Sequence, residues 1–531
     1  MLPPLWFPLL AALAAATTLR AAEPTYDLII SGGLVYEGTG AAPVRADVAV
    51  RGDKIVRVGD LAGALAARRI SANGLAVSPG FVDLHAHIEP IERMPDAESA
   101  VRQGVTTVLG GPDGNSPLPL GAFLARLEKL PLGANAAFLA GHGTIRSSVL
   151  KLVDRAPTPA ELDTMKSLVA QALREGAFGL STGLKYLPGT FAKTDEIVAL
   201  AQVAASLGGI YTSHLREEGL GLIPAVTEAI AIARGARIPV VLTHHKAIGK
   251  PTWGQSVKTL ALVDAARAEG LDVMVDVYPY TASHTGLSVL IPSWALAGGR
   301  DEFKQRAADS ALRAKMKAEI VNAILTDRGG GDLRCVQFSA VAWKRDLEGK
   351  TLADWCAQRR LEPTPENGAE LVIEGQLNGG ASCIYHAMDE ADVERIVRHP
   401  QAMIASDGRL SRPGEESPHP RCYGTFPRVL GRYVREKRLL TLETAINKMT
   451  GMPARRLGLA DRGRIAEGLQ ADLVVFDPAT VRDTATFEKP HQYPEGIPFV
   501  IVNGIVTVDG GRFTAARGGR VLRHAPGAGA R

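Results

Sequence analysis

The 531-residue chain has only four cysteines, Cys335, Cys356, Cys383 and Cys422, and no two of them form a Cys-x-x-Cys pair. They support neither a disulfide framework nor a zinc knuckle. An excess of one charge is also missing. Sixty Lys and Arg against 56 Asp and Glu leave a net charge of +4, well mixed along the chain. That balance argues against a nucleic-acid partner and against a polybasic membrane surface. No glycine-rich phosphate-binding motif follows the first strand of the central region, as a doubly wound nucleotide-binding sheet would require. The apolar, alanine-rich run over 5–19 carries no charge but is short for a membrane span.

That run precedes Arg20-Ala21-Ala22-Glu23 and resembles a secretory signal peptide over 1–22. The expectation is a periplasmic or secreted protein with no stable membrane association once the leader is removed. The segment before the run lacks Lys and Arg, and the small-residue cleavage rule is imperfectly met near Ala22. An uncleaved anchor or a mis-chosen start codon, the latter giving a cytoplasmic protein, are the alternatives.

What remains is an ordinary globular composition, 46% hydrophobic and 22% charged. Residues 23–77 and 463–515 share short β-type runs broken by glycine, and Asn503-Gly504 is a tight hairpin signal. They are expected to form one small β-sandwich domain built from both ends of the chain. Between them, over 78–462, strand-like runs alternate with helices. The strand ending in His85 is followed by runs at 105–109, 136–140, 178–181, 209–213, 239–243, 272–277 and 403–406. Thr158-Pro159-Ala160-Glu161 reads as a capping box with proline at the first helical position. Eight strands with intervening helices predict an α/β fold of the (β/α)8 barrel type. Residues 286–349 interrupt the alternation and read as an inserted subdomain before the last barrel strand.

In such a barrel the functional groups sit at the C-terminal strand ends. The run Gly80-Phe81-Val82-Asp83-Leu84-His85-Ala86-His87 puts two imidazoles on one face of a strand end, with Asp83 beneath them. Other strand ends supply Asp113, His142, Lys185, His214, His244, Tyr278, Tyr280 and Asp407. His85, His87, Lys185, His214, His244 and Asp407, in that order, outline a binuclear metal site like that of the amidohydrolase superfamily. The words Tyr211-Thr212-Ser213-His214-Leu215-Arg216-Glu217-Glu218-Gly219, Thr243-His244-His245-Lys246, Asp276-Val277-Tyr278-Pro279-Tyr280, Ser406-Asp407-Gly408 and His419-Pro420-Arg421-Cys422-Tyr423-Gly424-Thr425-Phe426 narrow this further. Together they are similar to the D-aminoacylase (N-acyl-D-amino-acid deacylase) family, over essentially everything after the leader.

The resemblance implies metal-dependent hydrolysis of N-acyl-D-amino acids. His85, His87 and Asp407 would hold one metal, and His214 and His244 a second. Zinc is the default, with manganese or cobalt as substitutes. A metal-activated water would attack the amide, with Asp407 as the proton shuttle. Lys246, Arg421 and a tyrosine of Tyr278-Pro279-Tyr280 would hold the substrate α-carboxylate, and His142 would line the pocket. In one respect the chain departs from the family. D-aminoacylases carry a cysteine ligand in a Gly-Asn-Cys-Gly context, where this chain reads Gly111-Pro112-Asp113-Gly114. Carbamylated Lys185 is therefore expected as the bridging anion, with Asp113 in support. Asp113 as a direct ligand, or Lys185 as a substrate-binding lysine, are the rivals. His245 is expected to be a supporting or buried partner. A dipeptidase for C-terminal D-residues, a deacylase of acidic D-amino acids and a cyclic amidase of the dihydroorotase or hydantoinase kind are the alternative activities. A non-catalytic scaffold would be expected to have lost ligands that are all present here. Oligomeric state is not readable from the sequence.

Overall fold

The computed structural model describes residues 25–525, so the leader expected at 1–22 lies outside the described residues. Its centre is a series of short parallel strands. Phe81–Asp83 pairs with Val105–Gly110, which pairs with Asn135–Phe138. After a break at Leu139 the chain resumes as Ala140–Gly141. That strand leads a parallel run of Gly179–Gly183, Ile210–His214, Val240–Leu242, Val273–Val277 and Ala402–Ile404. A further parallel contact joins Ala86–His87 to Gly408–Arg409 and sets the end of the last strand beside the end of the first.

These strands are buried along almost their whole length, the pattern of a parallel sheet covered by its crossover connections. Helices Pro159–Arg174, Thr194–Ser206, Leu222–Ala236 and Ser256–Ala268 are those connections, each packed on the next. Local chemistry accounts for their starts. Thr158 Oγ1 accepts from the Glu161 amide at 3.3 Å, and the Glu161 carboxylate accepts from the Thr158 amide at 2.7 Å. The same helix buries Met165, Val169, Ala172 and Leu173, one stripe at helical spacing.

The two ends of the chain join in one nine-stranded sheet, in which Ala76–Pro79 pairs antiparallel with Leu473–Phe476. Ile30, Val48, Val50, Val77, Leu473 and Val475 fill its core. Asn503 and Gly504 close the hairpin between Phe499–Val502 and Ile505–Asp509 with φ of 46° and 81°, as a type I′ turn requires. The Asn503 side-chain Nδ2 also donates to Asn135 Oδ1 at 2.7 Å, tying this sheet to the central strands.

Between Val273–Val277 and Ala402–Ile404 lies an antiparallel sheet of Ser283–Gly286, Val336–Ala340 and Ser382–Tyr385. Helices Ser310–Thr326, Leu352–Gln358 and Pro365–Leu377 accompany it. Its core is separate and runs from Leu287 through Phe338 and Trp355 to Tyr385. Among the described residues no helix is long and apolar enough to cross a membrane.

Candidate metal centre

The strand ends bring the polar residues together through a few close backbone approaches. A Cβ on Gly80 would lie 2.1 Å from Thr106 Oγ1, so only glycine lets the His85 strand settle against Val105–Gly110. Asp83 accepts from the Ser406 amide at 3.0 Å, from the His85 amide at 3.3 Å and from the Ser406 hydroxyl. It thereby ties the first strand end to the last, and burial pushes its carboxyl up to about 6. A Cβ on Gly183 would stand 2.2 Å from the Asp113 carbonyl oxygen, which lets the Gly111-Pro112-Asp113-Gly114 loop close over the strand ends. Asp113, His244 and Asp407 have φ of 55°, 35° and 48°. Left-handed backbone at non-glycine residues costs on the order of 1–3 kcal/mol each and gathers at functional sites.

Two groups of potential ligand atoms result: His85, His87, Asp113 and Asp407, and Asp113, His214 and His244. Asp113 belongs to both. Its Oδ1 stands 3.6 Å from His85 Nε2 and 3.6 Å from His244 Nε2. Its Oδ2 stands 3.7 Å from His87 Nε2 and 3.4 Å from His214 Nδ1. Asp407 Oδ1 lies 3.1 Å from His87 Nε2 and 3.5 Å from His85 Nε2. Ligands about 2.1 Å from one tetrahedral zinc ion are separated by about 3.4 Å, so this spacing fits divalent ions. His85 Nε2, His214 Nδ1 and Asp113 Oδ1 are buried without a hydrogen-bond partner, as donors set for a cation would be.

The electrostatics agree. Burial opposes the charge on Asp113, but His214 and His85 hold its carboxyl well below the usual range. Asp407 is likewise held well below it, against burial, chiefly by Arg421, whose Nη1 lies 2.8 Å from Oδ2. Against burial and nearby Lys246, Glu218 and Asp113 push His244 up to about 10. These ionised carboxylates and the proton-hungry imidazole mark a pocket that favours positive charge.

Two carboxylates that sequence reasoning did not single out support the ligands. Glu218 Oε1 lies 3.1 Å from His244 Nδ1 and 2.6 Å from Lys246 Nζ, so it fixes the imidazole and offsets the ammonium at once. Asp276 Oδ1 accepts from the His244 amide at 2.6 Å, while Oδ2 lies 3.8 Å from His85 Nδ1. Both stand inside the quoted motif words, and Glu218 follows His214 by four residues just past a strand end.

The remaining expected residues divide. Lys246 and Arg421 line the cavity above the cluster, and the face of Tyr278 lies 4.7 Å from the Arg421 guanidinium carbon and 5.6 Å from Lys246 Nζ. Lys185 lines the same cavity, its ammonium donating to the two Glu217 oxygens at 2.8 and 2.9 Å. His142 does not line the cavity. It begins helix His142–Leu150, and its Nε2 is paired with Glu196 Oε1 at 2.8 Å. Neither tyrosine contributes to the cavity wall, and Tyr280 is packed under Arg428, 4.6 Å from the guanidinium carbon. His245 is buried on Thr259 Oγ1 at 2.7 Å.

Comparison with known proteins accords with this arrangement. A family model described as the amidohydrolase family matches residues 68–508. The D-aminoacylase of Alcaligenes xylosoxydans xylosoxydans is 39% identical over 521 residues, covering 94% of this chain and 97% of that protein. The N-acyl-D-glutamate deacylase of the same organism is 39% identical over 523 residues, covering 94% and 96%. A solved N-acyl-D-glutamate deacylase from Bordetella bronchiseptica, complexed with zinc and a phosphonate inhibitor, is 36% identical with a TM-score of 0.80. That match covers 94% of this chain and 100% of the solved one. The chain belongs to the amidohydrolase family and, within it, to the D-aminoacylase family.

Proposed function

We propose that the protein is a metal-dependent deacylase that hydrolyses N-acyl-D-amino acids to a carboxylate and a free D-amino acid. The observation that carries this reading is a carboxylate, Asp113, shared by two ligand groups beneath a cavity whose wall also holds Lys246 and Arg421. The parallel strands, taken in ladder order and closed by the contact of Ala86–His87 with Gly408–Arg409, form a (β/α)8 barrel in this reading. The nine-stranded terminal sheet is its satellite domain, and 283–385 is a unit inserted before its last strand.

His85, His87 and Asp407 would hold one ion and His214 and His244 the other, with Asp113 bridging them in place of the family's cysteine. The bridge moves from Lys185 to Asp113 because the Lys185 ammonium is engaged by Glu217 while Asp113 faces all four histidines. Zinc suits these imidazole and carboxylate donors. When bound, such ions supply Lewis acidity, acidifying water and polarising a carbonyl. Asp407 Oδ1 stands among the histidines, and Oδ2 stands free of the ligand cluster beside Arg421. Arg421 keeps that carboxylate ionised, the form in which Asp407 would accept the proton of the attacking water and return it to the departing amine nitrogen. Lys246 and Arg421 receive the substrate α-carboxylate, with the buried Tyr278 ring packed against both cations.

Hydrolysis of paired N-acetyl-D- and N-acetyl-L-amino acids by zinc-loaded protein tests the reading. Release from the D-substrates, abolished by chelation and restored by zinc, is the expected result. Cleavage confined to dipeptides with a C-terminal D-residue would replace it with a D-specific dipeptidase. Ring opening of cyclic amides with no action on linear ones would replace it with a cyclic amidase.

A further inference from the structure

The cavity above the cluster encloses about 1260 Å³, against the ~300–1,000 Å³ usual for small-molecule sites. Its lining mixes charged and apolar side chains. Lys246 follows strand Val240–Leu242 and Arg421 opens the helix beyond the last strand; both line it, as do Arg300, Arg328 and several carboxylates. Leu152, Leu187 and Leu220, from segments past other strands, and Val289, Trp294 and Phe303 of the inserted unit make up an apolar part of its wall. Leu187, Val289 and Trp294 are packed against the inserted unit's own core, so this wall has a fixed backing. The Trp294 indole nitrogen donates to Glu319 Oε2 at 3.1 Å, which anchors the ring. Leu220, on the same wall, is 65% exposed. A lone exposed leucine is unremarked on most surfaces, but six apolar side chains in one recess continuous with a catalytic cavity form a binding wall.

We propose that this arm receives a long apolar N-acyl chain, so that the preferred substrates are N-acyl-D-amino acids with medium or long aliphatic acyl groups rather than N-acetyl ones. The proposal rests on the deacylase reading above. With the α-carboxylate held by Lys246 and Arg421, an acyl group on the far side of the scissile amide extends toward the apolar wall. An acetyl group leaves that wall wet, whereas a longer chain covers it. Each methylene that the arm buries contributes ~0.8 kcal/mol, about a fourfold gain in kcat/KM if that burial is kept through the reaction. The Glu217–Lys185 pair and Glu319 provide the polar rim of the same recess.

The test is kcat/KM for acetyl, butanoyl, hexanoyl and octanoyl derivatives of D-alanine and D-phenylalanine, below micelle-forming concentrations. It is run on the wild-type zinc enzyme and on Leu220→Glu and Val289→Glu. The expected result is a rise of up to about 10³-fold from acetyl to octanoyl, six methylenes at roughly fourfold each where the arm buries them all. In each variant the octanoyl-to-acetyl ratio falls by about tenfold or more, and Leu220→Glu, at an exposed position, keeps a thermal midpoint near that of wild type. Equal rates along the acyl series, with D-substrates still cleaved, would overturn the proposal and leave the deacylase reading intact. Strong dependence on the D-side chain with none on the acyl chain would overturn it too and assign the arm to the side chain. Failure on every D-substrate of any length would overturn both.

Discussion

Asp113→Asn separates the two candidate bridging anions most sharply. Asparagine preserves the volume of the side chain and tolerates the left-handed backbone found there, with φ of 55°. The substitution therefore removes a charge and little else. That charge stands within 3.7 Å of imidazole nitrogens of His85, His87, His214 and His244. Unit charges 4 Å apart at an effective dielectric constant near 20 interact by about 4 kcal/mol. A divalent ion bound between those donors feels at least that much, so its affinity drops on the order of a thousandfold. Zinc content after dialysis against a zinc buffer, together with titration calorimetry, reads the loss directly. The expected outcome is a clear fall in bound zinc for Asp113→Asn, while Lys185→Ala keeps its zinc because that ammonium is turned to Glu217. The reverse pattern, full loading of Asp113→Asn with a lost ion in Lys185→Ala, would refute the reasoning. It would restore a carbamylated lysine as the bridge.

Asp407→Asn removes the proposed proton carrier but leaves an oxygen near His87, so turnover should fall by about 10²–10⁴-fold while most of the zinc is retained. Stopped assays run beside metal analysis check this. Glu218→Gln strands the buried Lys246 ammonium and loosens His244, a loss of about 3 kcal/mol in stability measurable by denaturant unfolding of the zinc-free protein. Lys448 is buried with its ammonium donating to the Ala402 carbonyl at 2.8 Å, and burial pushes its pKa down from 10.5 to about 8. The native state thus binds fewer protons than the unfolded chain between those values, so this group's contribution rises with pH from about 8 to 10.5. Wild-type stability should gain roughly 3 kcal/mol on Lys448→Met across that window, and a pH-independent difference would count against the assignment.

The elements were legible wherever their determinants are local. Thr158 and Glu161 cap a helix within a single turn, and Asn503-Gly504 closes a hairpin from its own two residues. Alternation of buried strand and amphipathic helix likewise needs only a short window. Pairing between distant segments is another matter. That Ala76–Pro79 lies antiparallel to Leu473–Phe476 follows from burial shared by opposite ends of the chain, of which texture gives only a hint. The core joining Leu287 to Tyr385 extends beyond 349 for the same reason, since Ser382–Tyr385 is the strand that pairs with both Ser283–Gly286 and Val336–Ala340.

The site divides along the same line, and one dipeptide makes the point. Histidines at strand ends are visible because strand direction sets where they project, whatever the rest of the chain does. Glu217 and Glu218 are chemically equivalent in the sequence, yet one turns outward to Lys185 and the other inward to Lys246 and His244. That choice depends on how the chain leaves Ile210–His214, and it sets the carboxylate partners of two lysines together. Lys185 gains a carboxylate partner on the cavity wall, whereas Lys246 is held buried at the floor with its charge offset. Asp113 turns inward on the strength of one left-handed residue in a loop that glycines at 114 and 183 allow to pack closely. A departure from the family motif at one ligand thus becomes interpretable only with its surroundings. Asp113 oxygens lie within 3.7 Å of imidazole nitrogens of four histidines, while the Lys185 ammonium is paired with Glu217.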